Sequence, residues 1–130
     1  MDLGINEDQI VLQEVFSNFF KQEAGPEKVR DSEPLGFDLT AWERLAETGA
    51  PGMGVAEPRG GGASLTELII VAEECGAQIS PLPIIDHIVT TRILEKLNAL
   101  DDDVISGSLI SGLAIRSTKN GTAFSVPAGA

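Results

Sequence analysis

The sequence is poor in cysteine and in long apolar runs, and both shortages exclude classes of protein. Cys75 is the only cysteine among the 130 residues, so an internal disulfide and a cysteine-rich zinc site are excluded. We expect Cys75 to behave as a small buried hydrophobic residue. The longest unbroken apolar run, residues 68–72, is far shorter than the about 20 residues that a helix needs to cross a bilayer.

Basic residues are scarce as well. Nine Lys and Arg stand against 20 Asp and Glu, which gives a formal net charge of -11. Such a chain repels nucleic acid and anionic membrane surfaces, so we expect no nucleic-acid partner and no membrane partner. The N-terminal sequence MDLGINEDQ lacks the apolar region of a signal peptide, which favours a cytoplasmic protein.

The first part of the chain shows the apolar spacing of an α-helix. Asn6 and Gln9 form a capping-box pattern, and apolar residues follow at helical spacing as far as Phe20. The pair Gly25-Pro26 should end this helix. The polar residues 31–34 predict a loop.

Two further helices carry clear boundary signals. One begins at the predicted N-cap Asp38 and ends at Gly49. The next begins with the capping box of Ser64 and Glu67 and closes at Gly76. Its apolar residues cover more than one face, so we expect it to be buried on more than one side.

The character of the sequence changes in its last third. A final helix begins near Pro83, which the first turn of a helix tolerates. Beyond Asp103 the sequence becomes rich in Val, Ile, Gly and Ser, and Asn120-Gly121 predicts a hairpin turn. We therefore predict a helical domain over residues 1–103 and an incomplete β domain that begins over residues 104–130.

The triple glycine at residues 60–62 raises the question of a phosphate-binding loop. No lysine follows the glycines, and the spacing of a dinucleotide-binding fingerprint is absent. We favour a structural role, in which glycine lets the chain turn sharply into the Ser64 cap, and phosphate binding stays open as the alternative.

The segment FDLTAWERLAETGAPGMGVAEPRGGGASLTELIIVAEECG resembles the N-terminal helical domain of acyl-CoA dehydrogenases. The flanking stretches EDQIVLQEVFSNFF and SPLPIIDHIVTTRIL fit the same family, so that the resemblance covers nearly the whole chain. It is closest to diverged subunits of bacterial lipid or steroid catabolism. The fold that the resemblance implies is mostly α, a helical-bundle N-terminal domain of acyl-CoA dehydrogenase type followed by a short β hairpin.

The resemblance also implies a function. Enzymes of this family bind FAD and desaturate an acyl-CoA thioester between its α- and β-carbons, using a glutamate of a C-terminal helical domain. No carboxylate of this sequence matches that glutamate, so we assign no catalytic residue. The expected partners are an acyl-CoA substrate and an acyl-CoA dehydrogenase subunit in a homo- or hetero-oligomer. The alternative is a non-catalytic helical interaction module that kept the fold and lost the chemistry.

The resemblance places the substrate near the last helix, where Ile84, His87 and Ile88 are the candidates to face the acyl group. The other interpretation is that Ile84 and Ile88 are ordinary core residues and that His87 is capped or exposed. A single histidine without partners at ligand spacing does not indicate a metal site. The acidic run of residues 101–103 also lacks the spacing of a calcium loop, so we expect no metal.

The family's first β strand lies against the flavin, and its counterpart here is SGLAIRSTKNG. Leu113 and Ile115 fall at the flavin-facing positions of that strand. Arg116 and Ser117 replace the Thr-Glu pair that is usual in the family. Arg116 is a candidate for a phosphate of the flavin or of CoA, and a surface arginine is the alternative.

Overall fold

The computed structural model of the chain describes residues 4–113, and within them the backbone forms helices and no strand. The helices are α1 (Glu7–Glu23), α2 (Glu27–Ser32), α3 (Leu39–Glu47), α4 (Leu65–Ala77), α5 (Ile84–Lys96) and α6 (Asp102–Ser106), with a 3₁₀ turn at Ala50–Gly52. None of the helices in these residues combines the length and the hydropathy that a membrane span requires. The predicted hairpin at residues 120–121 lies outside the described residues.

The boundary signals of three helices act as the sequence predicts. The Asn6 side chain accepts the Gln9 backbone N–H at 2.9 Å, and the Gln9 side chain accepts the Asn6 N–H at 3.0 Å. Ser64 and Glu67 form the same reciprocal pair at the start of α4, and Asp38 caps α3. Both capping boxes are therefore confirmed, and each satisfies N–H groups that the first turn of a helix leaves without a partner.

Two short helices were not predicted. α2 includes the first two residues of the predicted loop, because Pro26 supplies a backbone angle suited to a helix start directly after the end of α1. Asp101 caps the start of α6, with its side chain accepting the Asp103 N–H at 2.9 Å, and Gly107 follows the helix in the left-handed conformation. Neither helix is long enough to show an apolar stripe, which is why periodicity missed both.

The end of α4 also differs from expectation, and the domain division stays a prediction. α4 continues one residue past Gly76, and Ile79 takes the left-handed position beyond it, with φ of 52°. The boundary predicted at residue 103 falls inside α6. Most of the predicted β segment lies outside the described residues, so a β domain after residue 103 stays a prediction.

The core lies where α1 packs along α4 and where α3 and α5 meet the 3₁₀ turn. Its largest buried side chains are aromatic or branched, and they come from several helices: Phe16, Phe20, Trp42, Leu45, Val71 and Ile84. A smaller cluster of Val55, Leu100 and Val104 joins α6 to this body. The apolar stripe of α1 is only partly buried, since Ile10, Val11 and Val15 remain exposed.

The glycine loop is closed by bonds of its own backbone. The N–H groups of Gly60, Gly61 and Gly62 each donate to a backbone carbonyl, at 3.1, 3.2 and 2.8 Å. These N–H groups are therefore not turned outward, as a phosphate cradle requires. A Cβ at Gly60 would lie 2.4 Å from the Gly52 carbonyl oxygen and 2.5 Å from the Val55 Cβ. Close backbone approach thus accounts for the glycine, which supports the structural role.

Replacement of Gly60 by alanine should therefore destabilise the fold. We expect Gly60→Ala to lower the free energy of unfolding by about 1–3 kcal/mol, because the added methyl group forces the backbone of the loop apart. Gly76→Ala is the matched control: a Cβ at this helical glycine meets no atom within 4 Å. It should raise stability by about 0.5–1 kcal/mol. Urea denaturation measures both, and equal effects of the two substitutions would contradict the close packing of the loop.

Candidate functional site

An apolar groove of about 320 Å³ runs between α4 and α5. Its floor consists of buried side chains that also belong to the core: Leu68, Val71, Ile84 and Ile88. Its rim consists of exposed apolar side chains: Leu65, Ile69, Ile85 and Val89. A concave apolar surface with few polar groups is the usual form of a site for an apolar small molecule.

The groove exists because α4 and α5 are apolar on two neighbouring sides. Ile84 and Ile88 of α5 are 0% and 6% exposed, whereas Ile85 and Val89, each one position later, are 47% and 45% exposed. One position turns a helix by about 100°, so the second pair faces the groove. α4 repeats the arrangement with the exposed residues Leu65 and Ile69. The expectation that α4 is buried on more than one side is nevertheless confirmed, because Leu68 and Ile70, about 200° apart around the helix, are both buried.

Two cations lie at one end of the groove. Arg92 and Lys96 line it together with the apolar residues, and no acidic residue among residues 4–113 does. They also line a neighbouring polar cavity, which contains Glu57 and Glu95. The Glu95 carboxylate accepts the Ala56 backbone N–H at 2.9 Å. These cations were not predicted from the sequence, although they continue the spacing of Ile85 and Val89 along α5.

His87 lies on the opposite side of α5, fully buried. Its Nε2 is 2.9 Å from the Val104 carbonyl oxygen, and its Nδ1 accepts the Ser111 backbone N–H at 3.1 Å. Because a carbonyl can only accept and a backbone N–H can only donate, the proton sits on Nε2 and the imidazole is neutral. Burial lowers the pKa of His87, and the bond to Val104 opposes that shift.

Trp42 of α3 also binds the stretch of chain that His87 binds, residues 104–111. Its indole Nε1–H donates to the Gly107 carbonyl oxygen at 2.9 Å. Its ring meets the His87 ring edge-to-face, with centroids 5.1 Å apart. We call Trp42 and His87, with the backbone groups of Val104, Gly107 and Ser111 that they bind, the exit clamp. It fixes the segment from Val104 to Ser111, which includes the end of α6.

The predicted substrate residues divide between these two places. Ile84 and Ile88 lie on the groove floor, where they are also core residues. His87 is not among the groove-lining residues and belongs to the exit clamp. The second interpretation took His87 to be capped or exposed; the residue is not exposed, and both of its ring nitrogens are hydrogen-bonded. The substrate-binding roles of the three residues stay predictions.

Of the predicted flavin contacts, only Leu113 lies within the described residues. Its side chain is 42% exposed and lines neither the groove nor the polar cavity beside it. Ile115 and Arg116 lie outside the described residues. One exposed leucine does not form a flavin site, and the flavin-binding roles of Leu113, Ile115 and Arg116 stay predictions.

The described part of the chain contains neither a reactive cysteine nor a group of metal ligands. Cys75 is buried, as expected, and its burial raises the pKa of the thiol to about 11. The thiol therefore stays protonated at neutral pH and is a poor nucleophile. Residues 4–113 contain no group of three His, Cys, Asp or Glu side chains that could hold a metal ion.

Comparison with known proteins gives one family and one relative. Residues 6–97 match the family described as acyl-CoA dehydrogenase, N-terminal domain. The chain is 34% identical over 86 residues to the acyl-CoA dehydrogenase IpdE2 of Mycolicibacterium smegmatis, an alignment that covers 62% of this chain and 27% of that protein. The chain thus spans about a quarter of the length of this relative. No solved structure is significantly similar to the chain.

The exit clamp predicts a loss of stability in mild acid. A proton on Nδ1 of His87 removes the acceptor of the Ser111 N–H, and no charged side chain in residues 4–113 bonds to the imidazole to compensate. The folded state therefore binds this proton more weakly than the unfolded state, whose pKa is about 6.5. The contribution of His87 to the free energy of unfolding should be complete above pH about 6.5 and should decline as the pH falls below it.

The measurement uses the fact that His87 is the only histidine. Its ring proton resonances, followed by NMR against pH, should give a pKa below about 6.5. The variant His87→Gln should be less stable than the parent at neutral pH, and its stability should change less between about pH 7.5 and about pH 5.5. A pKa of His87 at or above its ordinary value would contradict the buried neutral imidazole.

Proposed function

The chain belongs to the acyl-CoA dehydrogenase family, and on that premise we propose that it is the N-terminal helical part of an FAD-dependent acyl-CoA dehydrogenase. The reaction proposed for the complete enzyme is the desaturation of an acyl-CoA thioester between its α- and β-carbons. Support comes from the family match over residues 6–97 and from the relative named as an acyl-CoA dehydrogenase.

The observation that carries the proposal is the apolar groove between α4 and α5. Ile84 and Ile88 on its floor and Ile85 and Val89 on its rim offer a surface on which an acyl chain loses contact with water. Burial of each methylene group stabilises the complex by about 0.8 kcal/mol. We propose that this groove forms part of the acyl-binding site, with Ile84 and Ile88 in contact with the chain.

His87 has a different proposed role in the same enzyme. Both of its ring nitrogens are bonded to backbone groups, and the ring is fully buried, so it offers no free nitrogen to a substrate. We propose that it positions the segment that follows α6. We assign no catalytic base to residues 1–130 and derive no step through FAD, which we propose only for the complete enzyme.

Exposed apolar residues on α1 support a partner. Ile10, Val11 and Val15 are 43%, 58% and 56% exposed. We propose that the protein works in the cytoplasm as a homo- or hetero-oligomer that contains an acyl-CoA dehydrogenase subunit. The same residues favour the second candidate function, a non-catalytic partner subunit that keeps the helical fold for interaction alone.

The test uses the native protein with whatever subunits purify with it. We expect bound flavin, and we expect acyl-CoA to reduce an artificial electron acceptor. Val89→Glu should raise the KM for acyl-CoA about tenfold, because it puts a charge in an apolar site. Leu97→Glu, at an exposed residue that does not line the groove, is the control and should leave the KM unchanged. A flavin-free preparation that oxidises no acyl-CoA would contradict the proposal and support the second candidate.

A further inference from the structure

We propose that the groove between α4 and α5 takes an apolar chain that ends in a carboxylate, and that Arg92 and Lys96 hold this carboxylate. The inference rests on the proposed function in one respect, since it takes the groove as the acyl site. It adds the chemical class of the far end of the acyl chain.

The first support is the order of side chains along α5. Ile85, Val89, Arg92 and Lys96 follow one another at spacings of three and four residues, so they lie in one row along the groove. The row is apolar at one end and cationic at the other. From Ile85 to Arg92 the helix rises by about 10 Å, which gives the apolar part of the ligand room before it reaches the cations.

The second support is that these cations have no acidic partner in residues 4–113. Arg44 pairs with Glu23, and Arg59 pairs with Asp102. Within the same residues, neither Arg92 nor Lys96 forms an ion pair. In a chain of net charge -11, two unpaired cations beside an apolar surface are complementary to an apolar ligand with a negative end.

The surroundings favour a carboxylate over a phosphate. Glu57 and Glu95 line the polar cavity that also contains Arg92 and Lys96. These two carboxylates repel a doubly charged phosphate more strongly than a singly charged carboxylate. A guanidinium also matches a carboxylate in shape, because its N–H groups can donate to both carboxylate oxygens.

The test compares ligands that share one apolar chain and differ at its end. The 130-residue chain is titrated by calorimetry with decanoate, decanol and decyl phosphate. Decanoate should bind about five times more tightly than decanol, the gain expected of exposed or half-buried charge pairs. Tighter binding of decyl phosphate than of decanoate would overturn the choice of a carboxylate.

Variants then assign the effect to the two cations. Arg92→Met with Lys96→Met should remove the preference for decanoate and leave decanol binding as tight as before. Lys21→Met with Arg30→Met changes the net charge equally at exposed residues of α1 and α2 and should leave the preference intact.

The outcomes separate this inference from the proposed function. Equal binding of decanoate and decanol, or a preference that survives the Arg92 and Lys96 substitutions, overturns the carboxylate site and leaves the acyl groove standing. Failure of every ligand to bind overturns this inference and also contradicts the groove as the acyl site.

Discussion

The buried contact between Trp42 and His87 is the constraint on which the arrangement of α3, α5 and α6 depends. Each ring also binds backbone of the segment after α5, through the carbonyls of Val104 and Gly107 and the N–H of Ser111. A buried polar group without its hydrogen bond costs about 1–3 kcal/mol, so the two rings and the segment hold each other in place. The exit clamp thus joins α3, α5 and α6 at one point.

The clamp also determines which side of α5 faces the groove. His87 is two positions after Ile85, which corresponds to about 200° around a helix. With His87 held in the core, Ile85 and Val89 must point the other way, and Arg92 and Lys96 follow them along the same row. The clamp thus fixes the rotation of α5 that exposes Ile85 and Val89 in the groove, although no residue of the clamp lines it. The structural histidine and the candidate binding surface therefore lie on separate faces of one helix, α5.

The sequence predicted what is local and missed what depends on tertiary contacts. Asn6 with Gln9 and Ser64 with Glu67 are contacts within one turn, so their spacing alone identified them. The sequence indicated a helix from Pro83, and the resemblance named Ile84 and Ile88 on it as candidates to face the acyl group. Ile84 and Ile85 are nevertheless equally hydrophobic, and they differ in burial only through the packing of α5. The hydrogen-bond partners of His87 are 17 and 24 residues away along the sequence, and no periodic pattern indicates such bonds.

We propose that an acyl chain lies in the groove and does not reach the exit clamp. NMR of the chain with bound decanoyl-CoA tests it most directly, because Trp42 and His87 are the only residues of their kinds and their ring signals are unambiguous. We expect intermolecular Overhauser effects from the acyl chain to the methyl groups of Ile85 and Ile88 and none to the rings of Trp42 and His87. Contacts of the acyl chain with either ring, in the absence of contacts with those methyl groups, would contradict the account.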